Sequence, residues 1–189
     1  MKRLLLISLV LFTTGYCFAS EELSKQAVAF YSDNNSNKAM DLLLQIEEKN
    51  RTPQDWLLLG NLLEENGEKA NAIYMYQKAI AVNNKYYKSY YNLANIFLEE
   101  ENYTLAIEHY KKAIKLNNQN PYLHYNLACA YIKSGNIKKA KTSLISAVTL
   151  KNDIPEVHYN LAYVYKSLGK DKVAQSYLDN YNKLLQAGL

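Results

Sequence analysis

The chain has 189 residues, 49% hydrophobic and 21% charged, which is the composition of a folded protein rather than a disordered one. Six glycines and three prolines exclude collagen-like and linker chains and disfavour a turn-rich β-sandwich, and two cysteines are too few for a disulfide framework or a four-thiolate zinc site. The formal charge of +4 is small and evenly spread, so nucleic acid is not an expected partner.

Residues 1–19 have the layout of an export signal. Met1-Lys2-Arg3 is basic, Leu4 to Phe12 is almost unbroken apolar chain, and Cys17-Phe18-Ala19 places small residues three and one before a cut after Ala19. Tyr16 ahead of Cys17 argues against a lipoprotein signal, which wants a small residue there. Leu4 to Ala19 would span about 24 Å as a helix, short of the ~30 Å hydrocarbon core. An uncleaved anchor is the alternative, and it is the only route by which membrane contact is expected. Cleavage leaves 170 residues, a formal charge of +2 and one cysteine, Cys129. The expected location is periplasmic or secreted.

Residues 20–52 hold a helix pair. Ala27, Phe30, Ala39, Leu43 and Ile46 have helical apolar spacing, and Asp33-Asn34-Asn35-Ser36-Asn37 supplies the turn.

From Pro53 onward the sequence repeats every 34 residues. Trp56, Tyr90, His124 and His158 share one slot. Leu59, Leu93, Leu127 and Leu161 share another, followed by Gly60, Ala94, Ala128 and Ala162. The second half of each unit carries Ala72, Ala106, Ala140 and Ala174, then Tyr76, Tyr110, Leu144 and Leu178. Gly67, Glu101, Gly135 and Gly169 mark the turns between halves. Pro53, Pro121 and Pro155 open three units, where a first helical turn tolerates a missing N–H. Each unit therefore reads as two helices whose small residues allow close approach. A hairpin this short cannot bury both faces alone, so neighbours must stack.

This pattern resembles the tetratricopeptide repeat family, with its 34-residue helix–turn–helix unit. The resemblance implies an all-α fold, a right-handed α-solenoid of stacked hairpins, with copies at 53–86, 87–120, 121–154 and 155–189. Residues 20–52 then become a degenerate first copy, and the helix from about Lys170 to Gln186 becomes a capping helix. That last helix groups Val173, Ala174, Tyr177, Leu178, Tyr181 and Leu185 on one side, with polar residues elsewhere.

Little is left for catalysis. His124 and His158 fill a packing slot, and equivalent positions of neighbouring hairpins lie about one helix diameter, ~10 Å, apart, too far to share a zinc ion. His109 is expected at the surface. Glu64-Glu65 and Glu99-Glu100-Glu101 are expected as solvated helix ends. Cys129 reads as a small hydrophobe, with intermolecular disulfide formation as its alternative. No catalytic residue, metal or cofactor is expected.

Function should lie on the side that packing leaves free. Counting from Pro53, Tyr87, Pro121 and Pro155 as position 1, positions 4, 7, 8 and 11 share one face of the first helix. Positions 2, 5, 6, 9, 12 and 13 lie opposite. The resemblance places this opposite side on a concave groove that takes an extended peptide or a partner helix. Its side chains are Leu57, Tyr91, Tyr125 and Tyr159 at position 5, Leu58, Asn92, Asn126 and Asn160 at position 6, and Asn61, Asn95, Cys129 and Tyr163 at position 9. Lys88, Lys133 and Lys166 add charge. Tyrosine offers apolar area with a polar tip, and asparagine pairs with both donors and acceptors of a backbone. The expected partner is a protein or peptide bound by a non-catalytic exported scaffold. The alternative is a membrane-associated assembly factor for an envelope machine such as a pilus, secretion or cytochrome-maturation system. The family's clamp for a C-terminal carboxylate is not expected, since Asn61 and Asn92 match two of its places while Leu57, Tyr122 and Asn126 do not match the others.

Overall fold

Apolar residues spaced three and four apart give helices throughout residues 19–188, the part of the chain that the computed structural model describes; no strand occurs among the described residues. The predicted signal, apart from Ala19, lies outside them. The chain divides into two units, one ending at Asn84 and one beginning at Lys85. The first contains α1 (19–32), α2 (Ser36–Gln45), a 3-10 turn at Glu48–Asn50, α3 (Pro53–Glu65) and α4 (Lys69–Val82). The second contains α5 (Tyr87–Glu99), α6 (Tyr103–Leu116), α7 (Pro121–Lys133), α8 (Ile137–Leu150), α9 (Pro155–Ser167) and α10 (Asp171–Gln186). Ser36 begins α2, so the first turn is shorter than its polar run suggested.

One turn design joins all five hairpins. A residue in the left-handed region closes the first helix: Asn34, Gly67, Glu101, Gly135 or Gly169. The next amide reaches back five residues to a carbonyl at 2.8–2.9 Å, as in Glu68 to Leu63, Asn102 to Phe97 and Lys170 to Tyr165. This satisfies carbonyls that the helix end leaves orphaned. Glu101 holds its left-handed φ of +58° without glycine's freedom, and asparagine at 34 tolerates the same conformation more readily. In three turns the next residue also starts the second helix. Asn35, Asn102 and Asn136 accept from Lys38, Leu105 and Lys139 amides through their side chains.

The first unit packs Ala27, Ala39, Leu43 and Ile46 of the α1–α2 hairpin and its exit against Trp56, Leu58, Leu59 and Leu62 of α3. Ser24 donates to the buried Asp55 carboxylate, which also closes a capping box with Thr52. In the second unit the small residues Ala106, Ala113, Ala140 and Ala147 are fully buried, and they let α5–α6, α7–α8 and α9 pack closely.

The packed face of the first helices is wider than the sequence projection gave. Positions 3 and 10 are buried in every copy: Asp55, Ser89, Leu123 and Val157, then Leu62, Ile96, Ala130 and Val164. In the second unit Leu127, Ala130, Val157 and Val164 join one core with Ala106, Tyr110, Ala140 and Leu144. Within the second unit, α7 and α9 are thus each packed by their own partner and by the preceding hairpin. On α10, by contrast, Val173 and Leu185 are 39% and 49% exposed rather than packed. Asn182 and Gln175 of α10 stand where α6 has Ile114 and Ile107, so this helix presents a polar flank.

Candidate functional site

Within the second unit, α5, α7 and α9 carry the predicted wall. Lys88, Lys133 and Lys166 are exposed, and Tyr159 and Tyr163 are 53% and 50% exposed. Tyr91, Asn92, Asn95, Tyr125, Asn126, Cys129 and Asn160 are half-buried. In the first unit Asn61 is half-buried, but Leu57 and Leu58 are buried, which corrects their placement on the free side. Leu58 is drawn into the core formed with α1 and α2, because two adjacent leucines gain more from burial than from facing water.

Much of the Tyr/Asn array is engaged internally, which corrects the expectation of free amides. Two hydrogen-bond patterns account for it. Inside a hairpin, the buried tyrosine of the second helix donates to the position-9 asparagine: Tyr76 to Asn61 Oδ1 at 3.0 Å and Tyr110 to Asn95 Oδ1 at 2.6 Å. Tyr76 also donates to Glu64 Oε2 at 2.5 Å. Between neighbouring hairpins, the position-6 asparagine reaches the position-5 tyrosine of the copy before it. Asn126 Nδ2 donates to the Tyr91 hydroxyl at 3.0 Å. In the next pair the Tyr125 hydroxyl meets both Asn160 and the Cys129 thiol, and Asn160 Nδ2 lies 3.7 Å from Cys129 Sγ.

The first pattern has a sequence signature. Where the second helix carries tyrosine (Tyr76, Tyr110), position 9 is asparagine (Asn61, Asn95). Where it carries leucine (Leu144, Leu178), position 9 is Cys129 or Tyr163. A buried hydroxyl needs a partner, and its removal releases the asparagine position to change.

Burial sets the electrostatics of these groups. It holds the Tyr110 and Tyr125 phenols well above the usual tyrosine range, with Cys129 beside Tyr125 adding to the effect. Burial also pushes the Cys129 thiol up, which keeps it protonated and slow to react. Cys129 is free and half-buried. Charge is uneven between the units. Residues 20–84 have six basic and ten acidic residues, whereas residues 85–189 have fourteen lysines against eight acidic residues. The wall of the second unit therefore sits in a +6 field that the whole-chain sum conceals.

At the α9–α10 hairpin the wall opens into a cavity of about 630 Å³. Ala162, Ala174 and Leu178 line it with Tyr159 and Tyr163, and Lys166, Asp171 and Gln175 complete the lining. Tyr159 is held from behind by Tyr181, ring centroids 5.3 Å apart.

The remaining chemistry-bearing residues serve packing. His109 is half-buried rather than at the surface. It stacks on Phe97 at 5.4 Å and lies 6.1 Å from Tyr90, because α6 turns it toward α5. Burial, then the nearby Lys112, lowers its pKa below the usual 6.5, with Glu108 opposing. His124 and His158 place Nε2 at 3.0 Å and 2.6 Å from the Asn118 and Asn152 carbonyls, fastening the loops that lead into α7 and α9. Glu65 is not merely solvated, since it accepts from Tyr31 at 2.5 Å. Burial, then this contact, pushes the Tyr31 phenol up to about 12. Among the described residues no three His, Cys, Asp or Glu side chains gather to hold a metal ion, and no helix is long and apolar enough to cross a membrane.

The tetratricopeptide repeat pattern matches residues 56–86, 121–154 and 155–184, and a second TPR repeat pattern matches residues 94–135. Solved structures of similar architecture include MamA from Desulfovibrio magneticus RS-1, at 17% identity and a TM-score of 0.79 over 89% of this chain and 96% of that one. A MamA RS-1 ArsTM double mutant is similar at 15% identity and 0.80, over 90% of this chain and 96% of that one. MamA from MSR-1 gives 19% and 0.74, over 90% and 98%. At such identities the likeness is one of fold. No curated protein matches the sequence.

Proposed function

The chain belongs to the tetratricopeptide repeat family, and from that premise we propose that it is an exported, non-catalytic scaffold that holds an extended segment of a protein partner along the wall of α5, α7 and α9. The observation that carries this reading is the exposure of Tyr159 and Tyr163, large rings standing half in water on a helix whose opposite side is fully packed. Exposed tyrosine area is characteristic of protein-binding surfaces, and the neighbouring lysines would form a polar rim around it. The internal hydrogen bonds among Tyr91, Asn126, Tyr125 and Asn160 keep the wall rigid, which lowers the entropic cost of capture. Export rests on the layout of residues 1–19.

Photocrosslinkers at positions 88 and 133, both exposed, test the reading in the native envelope. A discrete adduct is expected at both positions and absent from a crosslinker at the outward-facing position 142 on α8. Adducts of equal yield from position 142, or none from positions 88 and 133, overturn it.

A further inference from the structure

Hairpins α5–α6 and α9–α10 share most of their inner wall. Ala94 and Ala106 of the former correspond to Ala162 and Ala174 of the latter, and Tyr91 corresponds to Tyr159. In the α5–α6 hairpin the Tyr110 ring is fully buried in one core with these two alanines and is bonded to Asn95. In α3–α4 the matching Tyr76 ring sits so close over position 8 that a Cβ on Gly60 would lie 2.3 Å from it. In α9–α10 both members of the pair have changed, to Leu178 and Tyr163. The α7–α8 hairpin has also lost the tyrosine, but Leu144 there is fully buried. Among the cavities described, only the one at α9–α10, about 630 Å³, is lined by the shorter side chain itself, Leu178; the cavity at the α7–α8 turn does not reach Leu144. That volume is within the range of ligand pockets and leaves room for a ring with its backbone.

We propose that the α9–α10 cavity takes an aromatic side chain from the partner, inserted where the sister hairpins hold their own tyrosine, with a neighbouring carboxylate of the partner meeting Lys166. The inference rests on the wall reading above and names the chemistry of its anchor. Charge complementarity sets the carboxylate. Lys166 lines the cavity, and Lys170 and Lys172 flank the one acidic lining residue, Asp171, which sits in the first turn of α10 where a helix favours negative charge. The whole unit is +6. An extended segment with an aromatic residue among acidic ones is therefore the fitting guest.

The probes are the peptides acetyl-Asp-Tyr-Asp-amide and acetyl-Asp-Ala-Asp-amide, titrated into the full chain while the methyl resonances of Ala162, Ala174 and Leu178 are followed by NMR. Saturable shifts are expected with the tyrosine peptide, with at least tenfold weaker binding for the alanine peptide. No saturable shift, or equal shifts with both, overturns the proposal. Leu178→Tyr with Tyr163→Asn rebuilds the sister design and fills the cavity from within. Its helicity should match the wild type, and binding of the tyrosine peptide should fall at least tenfold; undiminished binding overturns the proposal. If that variant does not fold, the wild-type peptide pair decides. The envelope adducts separate the two readings. Adducts at positions 88 and 133 that persist at full yield in the folded double variant sink the cavity proposal and leave the wall standing, whereas loss of all adducts in the wild type sinks the wall.

Discussion

Asparagine 95 should be worth more to the folded state than its half-exposed position suggests. Tyr110 is fully buried, and its hydroxyl lies 2.6 Å from Asn95 Oδ1. Tyr110→Phe removes donor and bond together. Asn95 can then turn to water, so the cost falls near the usual net value of a hydrogen bond, about 0.5–1.5 kcal/mol. Asn95→Ala is the harsher change, since it strands a hydroxyl inside a dry hairpin, at about 1–3 kcal/mol. With Phe at 110 the asparagine has nothing to satisfy, and Asn95→Ala should cost only a few tenths of a kcal/mol. The cycle therefore has a coupling of about 1 kcal/mol or more, above the ~0.3–0.5 kcal/mol within which independent sites add. Urea unfolding followed by far-UV circular dichroism reads it as a shift in midpoint at constant m-value. If Asn95→Ala costs the same in both backgrounds, the amide is not committed to Tyr110, and the division of the wall into internal and free groups is wrong.

Gly60→Ala should destabilise the first unit even though alanine is the better helix former by about 1 kcal/mol. The added carbon meets the Tyr76 ring, itself held by Asn61 and Glu64, so overpacking of roughly 1–3 kcal/mol is expected, and Tyr76→Leu should rescue it. A melting temperature that rises on Gly60→Ala alone contradicts this. His109 should make stability depend on pH. Its folded pKa lies below the unfolded 6.5, so the unfolded chain binds more protons in that window. The contribution is complete above pH 6.5 and is lost as pH falls through the folded pKa. Unfolding midpoints measured from pH 7.5 to 5 should decline, and His109→Phe should flatten that part of the decline; equal slopes in both proteins refute it.

The period was legible because it is written in packing. Ala106, Ala140 and their equivalents are small where two helix backbones approach, and nothing larger fits. Positions 3 and 10 were missed because a single-helix projection assumes one buried stripe, while α7 and α9 are packed from two sides. Leu58 is buried for a related reason: a wall position is free only if no earlier hairpin covers it, and the α1–α2 hairpin covers Leu58. The Asn61–Tyr76 and Asn95–Tyr110 pairs were visible as co-occurring residues 15 positions apart, but such a spacing crosses a turn and joins two helices. Only knowledge of the hairpin geometry turns it into a contact. His109 was misjudged because neighbouring charges, Glu108 and Lys112, suggested a solvated face, whereas the ring itself turns onto Phe97 and Tyr90.

The two hydrogen-bond patterns also explain where the wall becomes available. The position-5 tyrosines of α5 and α7 meet the asparagine of the following copy: Tyr91 meets Asn126, and Tyr125 meets Asn160. Each position-9 asparagine is tied to a second-helix tyrosine while that tyrosine lasts. Along the second unit the ties are replaced one after another. Cys129 stands where Asn95 stood, Leu144 where Tyr110 stood, and at α9 the position-9 residue has become Tyr163, half in water. Tyr159 packs against the tilted ring of Tyr181 instead of meeting an asparagine. A hydrogen bond already made inside the protein contributes rigidity but no affinity, because a guest must break it before using its atoms. On the proposed reading, α5 and α7 would therefore shape the wall, and α9–α10 would offer a partner its large exposed rings, Tyr159 and Tyr163.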